Sequence, residues 1–256
     1  MTYSDLPGVN FSTLKAIAKS QLHYVAALQK KYDADHFRQG RAMHTLLLEP
    51  AKYLTEYVVW TGKVRNGKEW DAFKAAHAGK TILTTTMATN AERMAAALER
   101  HPFVRELMAG DARLEQVVQW TDPVTGIACK GRRDLVGGGT LVDFKHTARM
   151  DYYAVQRSIA TLDYHTQCSW YASPPDVQID RHLLIFVEGD DAVDVGIFEL
   201  DPEAIAVGAR RWRAWLDLLQ TCRESGKWPG RYPDVTPINI PDYAIDVDDQ
   251  LILEDE

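Results

Sequence analysis

The sequence is poor in cysteine, and its three cysteines, Cys129, Cys168 and Cys222, stand far apart with no CxxC pair among them. That scatter argues against a disulfide framework, a structural zinc site or a four-cysteine iron–sulfur cluster, and it fits a reducing cytoplasm. No run of 18 apolar residues occurs, so no membrane-spanning helix is expected. The opening stretch, residues 1–15, lacks the basic start and apolar core of a secretion signal. Internal repeats and low-complexity linkers are missing as well. Positive charge is scarce overall: 29 Lys and Arg against 36 Asp and Glu leave a formal net charge of −7. A partner rich in phosphate would therefore have to be met by local clusters of cations. Two exist, Lys63, Arg65, Lys68, Lys74 and Lys80 in one stretch and Lys130, Arg132 and Arg133 in another, while the tail after Pro241 is acidic apart from its aliphatic residues.

What is present is 256 residues, 46% of them hydrophobic, enough to bury the core of one large domain. We divide the chain into a mainly helical part (1–110), a sheet with a crossover helix (111–200), a last helix (201–225) and an acidic tail (240–256). In the first part Ser12 and Ser20 are candidate N-caps, Asp35 opens a helix running through His44 to Leu48, and Pro50 stops it. Residues 61–80, with Gly62, Gly67 and Gly79 among basic side chains, read in part as a mobile loop, and Thr86 caps the next helix. From Asp111 the pattern changes to strands at 114–120, 127–136 and 140–145, separated by Asp122-Pro123-Val124-Thr125-Gly126 and Gly137-Gly138-Gly139. A polar, aromatic stretch, 151–173, is long enough for a crossover helix. Strands at 181–187 and 193–200 follow, and Asp201-Pro202 opens a helix to about Glu224. Helices around a mixed sheet give an α/β fold.

The chemistry gathers around Asp134 and Asp143-Phe144-Lys145, on either side of the glycine turn. Strand alternation sends Asp143 and Lys145 to one face and Phe144 to the other. The hairpin can bring Asp134 across from Asp143, and two adjacent carboxylates repel unless a cation lies between them. Oxygen ligands of this kind favour Mg²⁺ or Mn²⁺. A lysine beside them can orient or deprotonate a water, or stabilise charge building on phosphorus. A lone Asp-x-Lys is ordinarily a solvated ion pair. Here Leu141, Val142 and Phe144 mark a buried strand, where unpartnered charge is costly. Further along, Gln167 and Tyr171 share a helix face. Gly40 and His44 lie on an early helix, and Glu115 lies just before the first strand; singly, such a histidine is more often structural and such a glutamate a surface residue.

The order of these features resembles the PD-(D/E)XK nuclease superfamily, in its RecB-like branch. The match runs from the Gly40-Arg41-Ala42-Met43-His44 helix through Glu115, Gly131-Arg132-Arg133-Asp134 and Asp143-Phe144-Lys145 to Gln167…Tyr171. With Ser12…Leu14-Lys15, Ser20…His23-Tyr24 and the run from Thr45 to Pro50, it is similar in detail to the exodeoxyribonuclease VIII and lambda-type exonucleases of phages and prophages. The resemblance covers about residues 6–200 and implies a nuclease core, a central mixed β-sheet flanked by helices with a helical N-terminal region. It makes His44, Asp134, Asp143 and the Phe144 carbonyl metal ligands for one or two Mg²⁺ ions, with Mn²⁺ a possible substitute. Lys145 becomes the catalytic lysine, Gln167 and Tyr171 the family's helix motif, and Glu115 an acid near the metals. One departure is Asp143, where many members carry Glu.

The same resemblance implies hydrolysis of double-stranded DNA from a 5′ end in a bacterial host cytoplasm, leaving a 3′ overhang. It further implies a homotrimer encircling DNA and a single-strand annealing recombinase as partner. Arg38 or Arg41 would serve a 5′-phosphate pocket, and Lys63, Arg65 and Trp70 would contact DNA or wedge bases apart. A solvated loop anchored by its aromatic residues is the alternative for that stretch. The rival for the whole chain is a DNA-binding or annealing protein built on a degenerate nuclease fold, which has no need of Asp134, Asp143 and Lys145 together.

Overall fold

The computed structural model describes residues 3–29, 35–189 and 192–241, with 35–37 described by backbone only. The expected acidic tail beyond Pro241, and residues 190–191 between the last two expected strands, lie outside the described residues. The helical part contains α1 (Phe11–Leu14), α2 (Gln21–Gln29), α3 (Asp35–Leu48), α4 (Pro50–Glu56), α5 (Gly67–Ala76), α6 (Thr85–Arg100) and α7 (Pro102–Ala109). Asn10, not Ser12, caps α1, its side chain accepting from the Thr13 amide, whereas the Ser20 hydroxyl accepts from the His23 amide at the start of α2. Pro50 stops α3 and also opens α4, since its missing N–H costs nothing in a first turn.

Two corrections concern the same region. Residues 61–80 are loop in part, as expected, but α5 fills half of them and connects two short strands that the pattern did not reveal, β1 (Tyr57–Trp60) and β2 (Thr81–Thr84), which pair in parallel. Strands of four residues carry too little periodicity to be read beside a helical pattern. The cap of α6 is Thr84, two residues before the expected Thr86.

The main sheet has the order β3-β4-β5-β6-β7, with β3 (Arg113–Thr121), β4 (Ala128–Gly137), β5 (Thr140–Thr147), β6 (Arg181–Glu188) and β7 (Val195–Glu199). The first three strands form an antiparallel meander, β5 and β6 are parallel, and β6–β7 is antiparallel. The parallel step requires a crossover, and it is made by two helices, not one: α8 (Tyr152–Thr161) and α9 (Tyr164–Ala172). They break at Asp163, whose φ of 57° cannot continue a helix. Finally α10 (Pro202–Ser225) starts behind an Asp201 cap and ends at Gly226.

Alternation along the strands builds a three-layer core. Leu135, Val142, Phe144, Leu183, Ile185 and Val187 bury one face against α3, α6 and α7. Val136, Leu141, Leu184 and Phe186 bury the other against α8 and α9. A third cluster joins the N-terminal segment to α10 around the fully buried Trp170. The fold is thus a mixed α/β sheet flanked by helices, as expected.

Candidate active site and metal centre

The β4–β5 ladder runs from Gly137↔Thr140 to Leu135↔Val142 and ends there, one step before Asp134 would face Asp143. In the gap the Asp134 Oδ2 accepts the Phe144 amide hydrogen at 2.8 Å. From the opposite layer, α3 delivers His44, whose Nε2 lies 2.8 Å from the Phe144 carbonyl oxygen and whose Nδ1 lies 3.5 Å from Asp134 Oδ2. Met43 and Leu47 are buried on either side of His44 along α3, so core packing fixes the direction of the imidazole.

Glu115 comes from the other neighbour of β4. The β3–β4 register places it opposite Asp134, and its φ of 47° is a left-handed conformation that non-glycine residues adopt at a cost. Arg132 Nε holds its Oε2 at 2.8 Å. One donor atom each from His44, Glu115 and Asp134 lie within 4.8 Å of one another. Asp143 stands outside that triad, buried and paired with Lys145. The Lys145 ammonium also donates to Gln167 Oε1 at 3.0 Å and sits 4.5 Å from the centre of the Tyr164 ring. The Gln167 amide in turn donates to the Tyr171 hydroxyl at 3.1 Å.

Burial is the leading influence on the charges of the site. Burial pushes Glu115 up to about 7; Arg132 opposes this and Asp134 adds to it. Burial also raises Asp143, against the pull of Lys145. For Lys145, burial works against the charge, but Asp143 and Asp134 outweigh it and hold the ammonium above its ordinary value. These carboxylates, with an imidazole and a backbone carbonyl beside them, form a hard oxygen and nitrogen donor set suited to Mg²⁺ or Mn²⁺.

The remaining expected residues are placed less centrally. Arg41 and Arg38 lie about one and two turns before His44 on α3, Arg41 exposed and Arg38 half-buried. Lys63 and Arg65 are exposed between β1 and α5. Trp70 is no free-standing wedge, because it packs edge-on against Trp60 with 5.4 Å between ring centres and stacks with Phe73. Tyr171 packs so closely on β4 that a Cβ at Gly131 would meet its ring at 3.1 Å. The Lys130–Arg133 cluster is largely absorbed by the fold. Lys130 bonds the carbonyls of Tyr3, Ser4 and Leu6, and Arg133 is fully buried on Asp176, Gln116 and the Tyr171 carbonyl.

The sequence reading missed Tyr164 and the Arg132–Glu115 pair. Tyr164 had a signal, since with Gln167 and Tyr171 it completes an i, i+3, i+7 face of α9. Arg132–Glu115 had none, because only the register brings them together.

Residues 10–235 match the family model described as a PDDEXK-like domain of unknown function (DUF3799). The chain belongs to this PDDEXK-like family. Among solved structures it is similar to a candidate exonuclease from Eubacterium rectale, at 11% identity and a TM-score of 0.63, over 97% of this chain and 98% of that one. At that identity the likeness speaks for the fold. A second structure, SSO0001, matches at 13% identity over 82% of this chain and 85% of its own, with a TM-score of 0.34 that carries no argument. No curated protein matches the chain. Family and fold agree on a PD-(D/E)XK-type α/β core. Among the described residues, no helix is long and apolar enough to cross a membrane.

Proposed function

We propose that this protein is a divalent-metal-dependent nuclease that hydrolyses phosphodiester bonds in DNA. The observation that supports this best is the convergence, where β4 and β5 part, of His44, Glu115, Asp134 and the Phe144 carbonyl beside the Asp143–Lys145 pair, whose lysine is half-buried. His44, Asp134, Asp143 and the Phe144 carbonyl would hold one or two Mg²⁺ ions, with Glu115 beside them. The ion supplies Lewis acidity toward a phosphoryl oxygen and a more acidic water.

The chain's own residues do the rest. Lys145, kept as an ammonium by its acidic neighbours, faces negative charge as it builds on phosphorus. Gln167 fixes the position of Lys145 through its side-chain oxygen, and Tyr171 fixes Gln167, so the helix motif positions the lysine. Arg38 and Arg41 flank the approach along α3 and suit a terminal phosphate. Lys63 and Arg65, with the aromatic cluster around Trp70 behind them, offer a basic surface to the DNA backbone.

The similarity to exodeoxyribonuclease VIII and lambda-type exonucleases extends this reading. The enzyme would digest duplex DNA from a 5′ end in the bacterial cytoplasm, work as a homotrimer around the DNA, and pass the 3′ strand to a single-strand annealing recombinase. The deciding experiment incubates linear duplex, labelled at one 5′ end, with Mg²⁺ and protein, against an EDTA control and Lys145→Ala. Early release of labelled mononucleotide by the wild type alone supports a 5′→3′ exonuclease with Lys145 in its site. Duplex left intact in both Mg²⁺ and Mn²⁺ refutes the catalytic reading.

A further inference from the structure

Beyond Lys145, β5 runs on to Thr147, and a cleft of about 370 Å³ opens between that strand end and the first turns of α8. Thr147, Arg149, Asp151, Tyr153, Arg157 and Ser158 line it. By alternation, Thr147 follows Asp143 and Lys145 on the same side of β5, about 7 Å beyond Lys145 and about 13 Å beyond Asp143. The cleft therefore adjoins the reaction centre and is continuous with its strand.

Its chemistry is specific. Among the described residues the Arg157 guanidinium is exposed and has neither an ion pair nor a hydrogen-bond partner. Arg149 pairs with Asp151 at 2.9 Å, but the two side chains are 78% and 47% exposed, so that pair holds Arg149 only weakly. Asp151 is engaged a second time, accepting from the Ala154 amide as the cap of α8. The lining thus carries two guanidinium groups and one carboxylate, which leaves the cleft cationic in a chain of net charge −7. Tyr153, on its rim, is 76% exposed, and Tyr152 beside it is 66% exposed. Two adjacent aromatic side chains left in water, next to the unpaired Arg157 and the exposed Arg149–Asp151 pair, suit a ligand with both phosphate and base.

We propose that this cleft is a strand-binding subsite for DNA. It takes a backbone phosphate between Arg149 and Arg157, within about four nucleotides of the bond cleaved, and lays a neighbouring base on Tyr153. The role rests on the nuclease reading above and adds to it a hold on the strand beside the scissile bond, contributed by the crossover helix.

The test is fluorescence anisotropy of a labelled single strand and its matching duplex in EDTA, over a salt series, with wild type, Arg157→Gln and Tyr153→Ala. Both changes are on exposed side chains, so melting temperatures should match the wild type. Arg157→Gln should weaken binding about tenfold and reduce the slope of log affinity against log salt by about one phosphate. Tyr153→Ala should weaken binding about fivefold with the slope unchanged, because stacking releases no counterions. Wild-type affinity and slope in both variants, in a protein that degrades duplex with Mg²⁺, overturns the subsite and leaves the nuclease standing. A wild type that neither binds nor degrades DNA overturns both.

Discussion

Arg133 separates two meanings of a basic residue, and its replacement can be worked through in detail. In the sequence it belongs to a cationic cluster suited to phosphate. In the structure its side chain is fully buried: Nε donates to the Tyr171 carbonyl at 2.8 Å, Nη1 to Gln116 at 3.1 Å and to Asp176 at 2.8 Å, and Nη2 to Asp176 at 2.9 Å. It latches β4, one residue before Asp134, onto the end of α9. Removing one partner of a buried, hydrogen-bonded ion pair costs about 3–5 kcal/mol. The lower end applies here, because Asp176 keeps 35% of its side chain in water. For a chain of this length that is a fall in melting temperature on the order of 10 °C. Arg133→Lys is the informative variant. It keeps the charge but cannot reproduce the fork that reaches Asp176 in two places and the Tyr171 carbonyl in a third. Thermal unfolding followed by circular dichroism should therefore show Arg133→Lys destabilised nearly as much as Arg133→Met. A lysine variant that melts with the wild type but loses DNA affinity would refute the latch and return Arg133 to the DNA surface.

Three further outcomes are expected. Gln167→Leu leaves Lys145 held by Asp143 alone and should lower kcat about 10- to 100-fold with little change in melting temperature, measured by steady-state release of nucleotides. In metal-free buffer the raised Glu115 stabilises the protein below its ordinary value of 4.5 and loses that contribution as pH climbs through about 7. Over that window the wild type should lose up to about 3 kcal/mol relative to Glu115→Gln, and parallel pH–stability curves for the two proteins would contradict it. Asp122, buried under a bidentate hydrogen bond from Arg213, is held below the usual carboxylate range. Its contribution is present above about pH 4 and lost as pH falls through the depressed value, so Asp122→Asn should cost roughly 3 kcal/mol at neutrality and less in acid, as read by urea denaturation at both pH values.

Much of the fold was open to reading because it rests on local patterns. The five long strands, the Asp201-Pro202 start of α10 and the helix bearing His44 follow from alternation, helical period and cap chemistry, each confined to a few neighbouring residues. That Asp143 and Lys145 share a strand face, and Gln167 and Tyr171 a helix face, was legible for the same reason, whereas the contact of Gln167 with Lys145 came only with the packing of α9 on the sheet. Where local signals were weak the reading slipped. β1 and β2 are too short to show a period, and the break at Asp163 depends on a left-handed residue that any non-glycine side chain resists. Trp70 looked available from its neighbours in the chain, yet it packs on Trp60 from the preceding strand.

By itself, the sequence determined which residue types are present to do chemistry and which of them share a strand or helix face, because side-chain direction follows backbone period. It also scattered its three cysteines with no CxxC pair among them. Only the tertiary structure decided that Glu115 stands against Asp134, that His44 reaches the Phe144 carbonyl from the opposite layer, and that Arg133 is spent on packing while Arg157 is left in water. Those outcomes depend on strand register and on which side of the sheet each helix crosses. Both are settled by burying the whole apolar surface at once, and no short stretch of chain contains that information.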